Sequence, residues 1–146
     1  MRIAVGSDHA GYRLKQLLAD HLSGLGHQVD DLGTHSEAKV DYPEFGAAVG
    51  RAVTAGEAEL GVCACGTGIG ISIAANKIDG VRAAVVHDAT TARLARAHNH
   101  ANVVCMGGRI VGDEVAIDAM DTFLTTEPVG GRHQKRIDEI AELEAR

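Results

Sequence analysis

The sequence predicts an α/β fold, a parallel sheet of about five strands wrapped by crossover helices. Short apolar runs alternate with longer segments whose apolar residues recur at three- and four-residue steps, the pattern of repeated strand-helix-strand units. At 146 residues the chain can bury a sizeable core but cannot build two independent ones, so one domain over 1–146 is expected. With 45% hydrophobic and 23% charged residues, and no Pro-rich, Ser-rich or single-sign stretch, neither disorder nor a linker is expected, and no internal repeat is visible.

Arg2 to Ser7 reads as the first strand and Val29 to Gly33 as a weaker second. Between them Leu14, Leu17, Leu18, Leu22 and Leu25 share one helix face, with Gly26 as the stop. Pro43 suits the first turn of a helix with Ala48, Val49, Ala52 and Val53 inward. Leu60 to Cys65 is the third strand, and a helix opens within the glycine-rich loop and continues through Ile73 to Lys77. Val81 to His87 is the fourth strand, and Asp88 caps the next helix. Asn102 to Met106 is the fifth strand, and Asp113 caps a helix carrying Ala116, Met120 and Phe123. A last amphipathic helix covers Ile137 to Leu143 and opens as early as Arg132 if the preceding glycine pair is its boundary.

The formal charge of -6 argues against nucleic acid, which needs a broad basic face. Met1 to Ser7 runs into a strand without the layout of a signal peptide, and nothing approaches a membrane span. Three cysteines, Cys63, Cys65 and Cys105, are an odd count without a secretory signal, so reduced thiols in a cytoplasm are expected.

In an open parallel sheet, ligands sit beyond the carboxyl ends of the strands. The residues with chemistry are expected to collect there: Ser7-Asp8-His9-Ala10-Gly11 after strand one, Cys65-Gly66-Thr67-Gly68-Ile69-Gly70 after strand three, His98-Asn99 at the end of the helix after strand four, and Gly107-Gly108-Arg109 after strand five. Closely spaced glycines let successive N–H groups point into one concavity, and a following helix adds its positive end, which suits an anion. The dinucleotide fingerprint does not fit: counted from Gly66 its last glycine falls on Ile71, and from Gly68 on Ile73. Neither does a P-loop, which needs Gly-Lys before Ser or Thr. A tight strand-to-helix turn without a ligand would look the same.

Cys65 opens that loop, where several N–H dipoles favour a thiolate usable as base or nucleophile. Cys63-Ala64-Cys65 lacks the second pair a structural zinc site requires, and Cys63 and Cys105 read as core residues. Asp8-His9 and His98-Asn99 bring polar groups together, whereas His21 and His27 have no companions; each pair could equally cap a helix. Arg132 and Arg136, four residues apart, would share a helix face as a phosphate clamp or as a solvated basic turn.

Taken with Asp41-Tyr42-Pro43, Ile71 to Lys77, Arg93 to Asn99 and Gly130-Gly131-Arg132-His133-Gln134, these segments resemble, in order and over essentially the whole chain, the type B ribose-5-phosphate isomerases and their galactose-6-phosphate and allose-6-phosphate relatives. The resemblance implies a Rossmann-like three-layer αβα sandwich and aldose–ketose interconversion through an enediolate without metal or cofactor. It also implies a homodimer or dimer of dimers with shared active sites, the helix from about 132 packing on the partner subunit. By position, Cys65 would remove the carbon-2 proton and His98 would help open the ring, while Gly66, Thr67, Gly68, Ile69 and Gly70 would hold the enediolate, with Thr67 assisting. Asp8, His9 and Asn99 would contact hydroxyls and ring oxygen, and Arg109, Arg132 and Arg136 the phosphate, some from the neighbouring subunit. Relatives that use a glutamate carry it where this chain has Ile71, which leaves Cys65 as the base. The chain also holds the set that two-subunit galactose-6-phosphate isomerases divide between unlike chains, so a homo-oligomer is expected. Two alternatives stay open: the same chemistry on an allose, galactose or tetrose phosphate, and a non-catalytic module binding a sugar phosphate or nucleotide.

Overall fold

The apolar runs become strands of one parallel sheet, and because helices cover both faces the central strands need no polar alternation. The structure, a computed structural model, describes residues Met1 to Arg146. Its strands are β1 (Arg2–Ser7), β2 (Gln28–Asp31), β3 (Leu60–Cys65), β4 (Ala83–Val85) and β5 (Val103–Gly107). Their order across the sheet is β2-β1-β3-β5-β4. β3 and β5 are buried at every position. Register pairs Ile3 with Leu60 and Val62 with Val104, and sets Cys63 beside Cys105.

The helices are α1 (Tyr12–Gly24), α2 (Tyr42–Thr54), α3 (Ile69–Ala75), α4 (Ala89–Asn99), α5 (Asp113–Thr125) and α6 (Arg132–Glu144). Alternate strand residues serve two cores. Ile3, Val5, Val62, Val104 and Met106 meet α1, α4 and α5, while Ala4, Cys63, Cys65, Val103 and Cys105 meet α2 and α3. This is the three-layer αβα, Rossmann-like sandwich expected. α6 lies outside it, against α4 of its own chain, where the Val129 N–H donates to the Ala97 carbonyl at 2.9 Å. No helix is long and apolar enough to cross a membrane.

Several boundaries differ from expectation for local reasons. β2 ends at Asp31 because Gly33, at φ 99°, turns the chain out of the ladder. β4 shrinks to Ala83–Val85, an edge strand paired on one side only. Leu25 leaves the buried face: α1 stops at Gly24, Gly26 adopts φ 89°, and Leu25 is 53% exposed. Asp88 caps α4 as expected, in a capping box with Thr91. Asp113 is instead the first helical residue of α5, behind Gly112 as cap, and its carboxylate takes both Nη groups of Arg13 at 2.8 and 3.1 Å.

The chain leaves β1 toward β2 on one side and returns to β3 on the other. This reversal opens a crevice between the carboxyl ends of β1 and β3.

Candidate active site

The crevice is a cleft of about 410 Å³ lined by Asp8, His9, Ala10, Tyr42, Cys65, Gly66, Thr67, Ile69, Gly70 and Arg109. Its walls approach closely because Gly11 has no side chain: a Cβ there would lie 2.3 Å from the Ala64 carbonyl carbon. The Gly11 N–H donates to Asp8 Oδ1 at 2.9 Å, which holds the buried Asp8 carboxylate at the turn into α1. His9 Nδ1 lies 3.1 Å from the Val40 carbonyl oxygen and 3.3 Å from the Val40 nitrogen, so either tautomer finds a partner.

Cys65 ends β3 and is 3% exposed. Its Sγ accepts the Gly68 N–H at 3.1 Å. Gly68 provides that donor from the left-handed region, at φ 78°, packed against the backbone of Met106. Thr67 Oγ1 accepts the Ile69 N–H at 3.2 Å, while the N–H groups of Gly66, Thr67 and Gly70 donate to no other group of the chain. The loop thus presents unpaired amides beside a sulfur, the arrangement that stabilises charge developing on an oxygen. α3 has seven residues, so the amides themselves, rather than a long helix, provide the positive potential. The loop is tied to the end of β5: the Gly108 N–H donates to the Cys65 carbonyl at 2.8 Å and the Arg109 N–H to the Gly66 carbonyl at 3.0 Å. This brings the Arg109 guanidinium over Gly66.

Cys63 and Cys105 are fully buried, as expected of core residues. Contact with Cys63, then burial, pushes the Cys105 thiol well above its ordinary value. No group of three or more His, Cys, Asp or Glu side chains is placed to hold a metal ion.

His98 and Asn99 do not join this cleft, and their expected place at the carboxyl ends of the strands is overturned. A crossover helix runs antiparallel to the strand before it, so the end of α4 returns to the amino end of the sheet. Arg82, immediately before β4, donates its Nε to the carbonyls of Asn99 and His100 at 3.2 and 3.1 Å, which marks that end. A strand of five or six residues separates the two ends by roughly 17–20 Å. There His98 stacks on His133 of α6 with ring centroids 4.2 Å apart. Burial first, then the charges of His98, Arg132 and Arg136, hold the His133 imidazole below its ordinary value. Arg132 and Arg136 are exposed in the first turns of α6. One chain therefore carries two separate groups, a sulfur with amides at one end of the sheet and imidazoles with guanidinium groups at the other.

The family model for ribose/galactose isomerases matches residues 3–140. The chain belongs to that family. It is 45% identical over 145 residues to ribose-5-phosphate isomerase B of Escherichia coli (strain K12), covering 99% of this chain and 97% of that protein. The structure of ribose-5-phosphate isomerase B from Clostridium thermocellum superposes with a TM-score of 0.98 at 50% identity, covering 99% of this chain and 98% of that one. The Mycoplasma genitalium enzyme, a crystal structure with bound ribulose 5-phosphate, superposes with a TM-score of 0.94 at 43% identity, covering 99% and 97% of the two chains.

Among the residues expected to bind substrate in this isomerase fold, Asp8, His9, Gly66, Thr67, Ile69, Gly70 and Arg109 line the cleft with Cys65, and Gly68 lies beneath it. Tyr42 also lines it, a residue to which neither composition nor spacing assigns a role. Its ring crosses Gly70 so closely that a Cβ there would lie 2.5 Å from Tyr42 Cζ. The usable signal was Pro43: a helix that follows a strand begins at the carboxyl end of the sheet, so the residue before Pro43 belongs at the cleft.

Proposed function

We propose that this chain is an isomerase that interconverts ribose 5-phosphate and ribulose 5-phosphate by proton transfer through a cis-enediolate, with no metal or cofactor. The observation that carries the reading is the Cys65 sulfur in an open cleft beside the unpaired amides of Gly66, Thr67 and Gly70.

In the open-chain aldose the Cys65 thiolate takes the carbon-2 proton. The electron pair of that C–H bond forms the carbon–carbon double bond, and the aldehyde oxygen becomes the enediolate oxygen. The hydroxyl proton passes from oxygen 2 to oxygen 1, and the sulfur returns its proton to carbon 1, which leaves the ketose and the thiolate. Amides aimed at the developing charge contribute about 3–4 kcal/mol per important donor. Asp8 and His9 orient the sugar hydroxyls, and Arg109 draws the phosphate so that the reacting carbons lie over Cys65.

The second group acts on the cleft of another copy. In this reading His98 and Asn99 of a neighbouring subunit assist ring opening, and its Arg132 and Arg136 complete the phosphate site, which makes the working unit a homodimer or a dimer of dimers. The antiparallel course of α4 supports it, since it keeps His98 from the Cys65 of its own chain. Three free, buried thiols support a cytoplasmic setting.

Specificity constants over a panel of pentose, hexose and tetrose phosphates test the substrate, and a hexose phosphate preferred over ribose 5-phosphate would replace it. Mixing unfolded Cys65→Ala and His98→Ala chains and refolding them together tests the shared site. Random pairing makes half the dimers mixed, each with one intact site, so about a quarter of wild-type activity returns. No recovery, with mixed dimers present by mass, would place both groups in one chain's site, and wild-type activity of His98→Ala by itself would make His98 dispensable.

A further inference from the structure

Lys15 is fully buried, an ammonium in a helix face otherwise made of leucines. Its Nζ donates to Asp31 Oδ1 and Oδ2 at 2.6 and 2.8 Å and to the Thr34 carbonyl at 2.6 Å. The Tyr12 ring lies 5.4 Å away. The Lys15 ammonium is wholly removed from water while the Asp31 carboxylate stays 30% exposed; burying such a charge is costly, and an apolar replacement of equal volume is often no less stable. Such a pair does supply direction, because an ammonium with its oxygens at fixed places holds three acceptors in one geometry.

Those acceptors sit around the end of β1. Asp31 Oδ1 also takes the Gly33 N–H at 2.9 Å. The Gly33 carbonyl accepts the Ser7 N–H at 2.7 Å, and the Thr34 N–H donates to the Ser7 carbonyl at 2.8 Å. On the other flank the Lys15 N–H donates to the Gly11 carbonyl, and the Gly11 N–H donates to Asp8 Oδ1, both at 2.9 Å. The segment from Ser7 to Gly11 is therefore gripped from both sides through one residue, and Asp8 and His9 project from it into the cleft.

We infer that Lys15 is a positioning residue: through Asp31 and Thr34 it fixes the end of β1 so that Asp8 and His9 face the substrate. The inference rests on the substrate role proposed above for Asp8 and His9, and it adds a group that touches no substrate.

The test compares Asp31→Asn with the double variant Lys15→Met/Asp31→Asn, in which both charges are gone and the acceptor for the Gly33 N–H remains. Asp31→Asn strands a buried ammonium and lowers Tm; the double variant recovers Tm to within about 3 °C of wild type. The double variant does not recover activity, and its kcat/KM stays at least about tenfold below wild type, as a misplaced contact residue requires. Amide hydrogen exchange at Ser7 to Gly11 rises by about tenfold, while β3 and β5 exchange as in wild type. Recovery of kcat/KM together with Tm overturns the inference, as does unchanged exchange at Ser7 to Gly11. Should the double variant not fold, Asp31→Glu serves as the second variant, since it keeps the charge and displaces it by one methylene; unchanged kcat/KM there also overturns it. Hydrogen exchange needs no substrate, so a wild-type protein inactive on every sugar phosphate would defeat the proposed function separately.

Discussion

Replacing Gly68 by Ala tests the reactive loop at the point where backbone conformation and chemistry meet. Gly68 has φ 78°, where an L side chain costs about 1–2 kcal/mol. Its added Cβ would lie 2.8 Å from the Met106 carbonyl carbon and 3.1 Å from both Cα and O of that residue. Those atoms belong to β5, a fully buried strand that cannot swing aside, so overpacking adds about 1–3 kcal/mol. The sum of about 2–5 kcal/mol lowers Tm by about 4–20 °C for a chain of this length. Relieving the clash moves the Gly68 N–H away from the Cys65 sulfur, and kcat falls at least about tenfold, since losing a preorganised donor outright costs about 100- to 1000-fold. Gly56→Ala isolates the backbone contribution: φ is 75° there, and nothing lies within 4 Å of the added carbon. Thermal melts of both variants, with initial rates on ribose 5-phosphate, measure the two quantities. If Gly68→Ala melts no lower than Gly56→Ala and retains full kcat, the steric and electrostatic account of the loop is wrong.

Cys65→Ala should fold and melt within a few degrees of wild type while kcat falls by about 100- to 10,000-fold, the contribution of a well-placed base; a loss under tenfold in steady-state rates would remove Cys65 from that role. The Arg13–Asp113 pair has good geometry but both side chains are at least half exposed, so Asp113→Ala should lower Tm by no more than about 3 °C. A larger fall would show that α1 and α5 depend on it. His133 and His100 are both held below the ordinary imidazole value, chiefly by burial. Below about pH 6.5 the unfolded chain then binds protons that the folded chain does not, so stability is full above that value and is lost as pH falls through the folded values. Tm measured at about pH 7.5 and 5.5 should therefore drop less in His133→Gln than in wild type, and an equal or larger drop in the variant would contradict the assignment.

The glycine loop was legible because its meaning is local. Spacing alone allows N–H groups to converge on Cys65, and the sheet needs only to bring the loop to the surface. Strand order was not legible, since apolar runs announce strands without saying which runs pair, and β5 lies between β3 and β4. The edge of the sheet that holds His98 was not legible for a geometric reason: helical periodicity and the Asp88 cap show where α4 lies in the chain, but not that its end returns to the amino edge of the sheet. Lys15 stayed hidden because a lysine among leucines reads as solvated, and its burial depends on Asp31, sixteen residues away in another element.

The sequence by itself determined the kinds of element, the loop that carries the sulfur and the family to which the chain belongs, because periodicity, glycine spacing and ordered motifs are properties of neighbouring residues. Only the tertiary structure decided which of those groups meet. The order of the strands brings the ends of β1, β3 and β5 side by side around Cys65. The return of α4 carries His98 to the opposite edge, since a helix linking parallel strands must run back along the sheet before the next strand can begin.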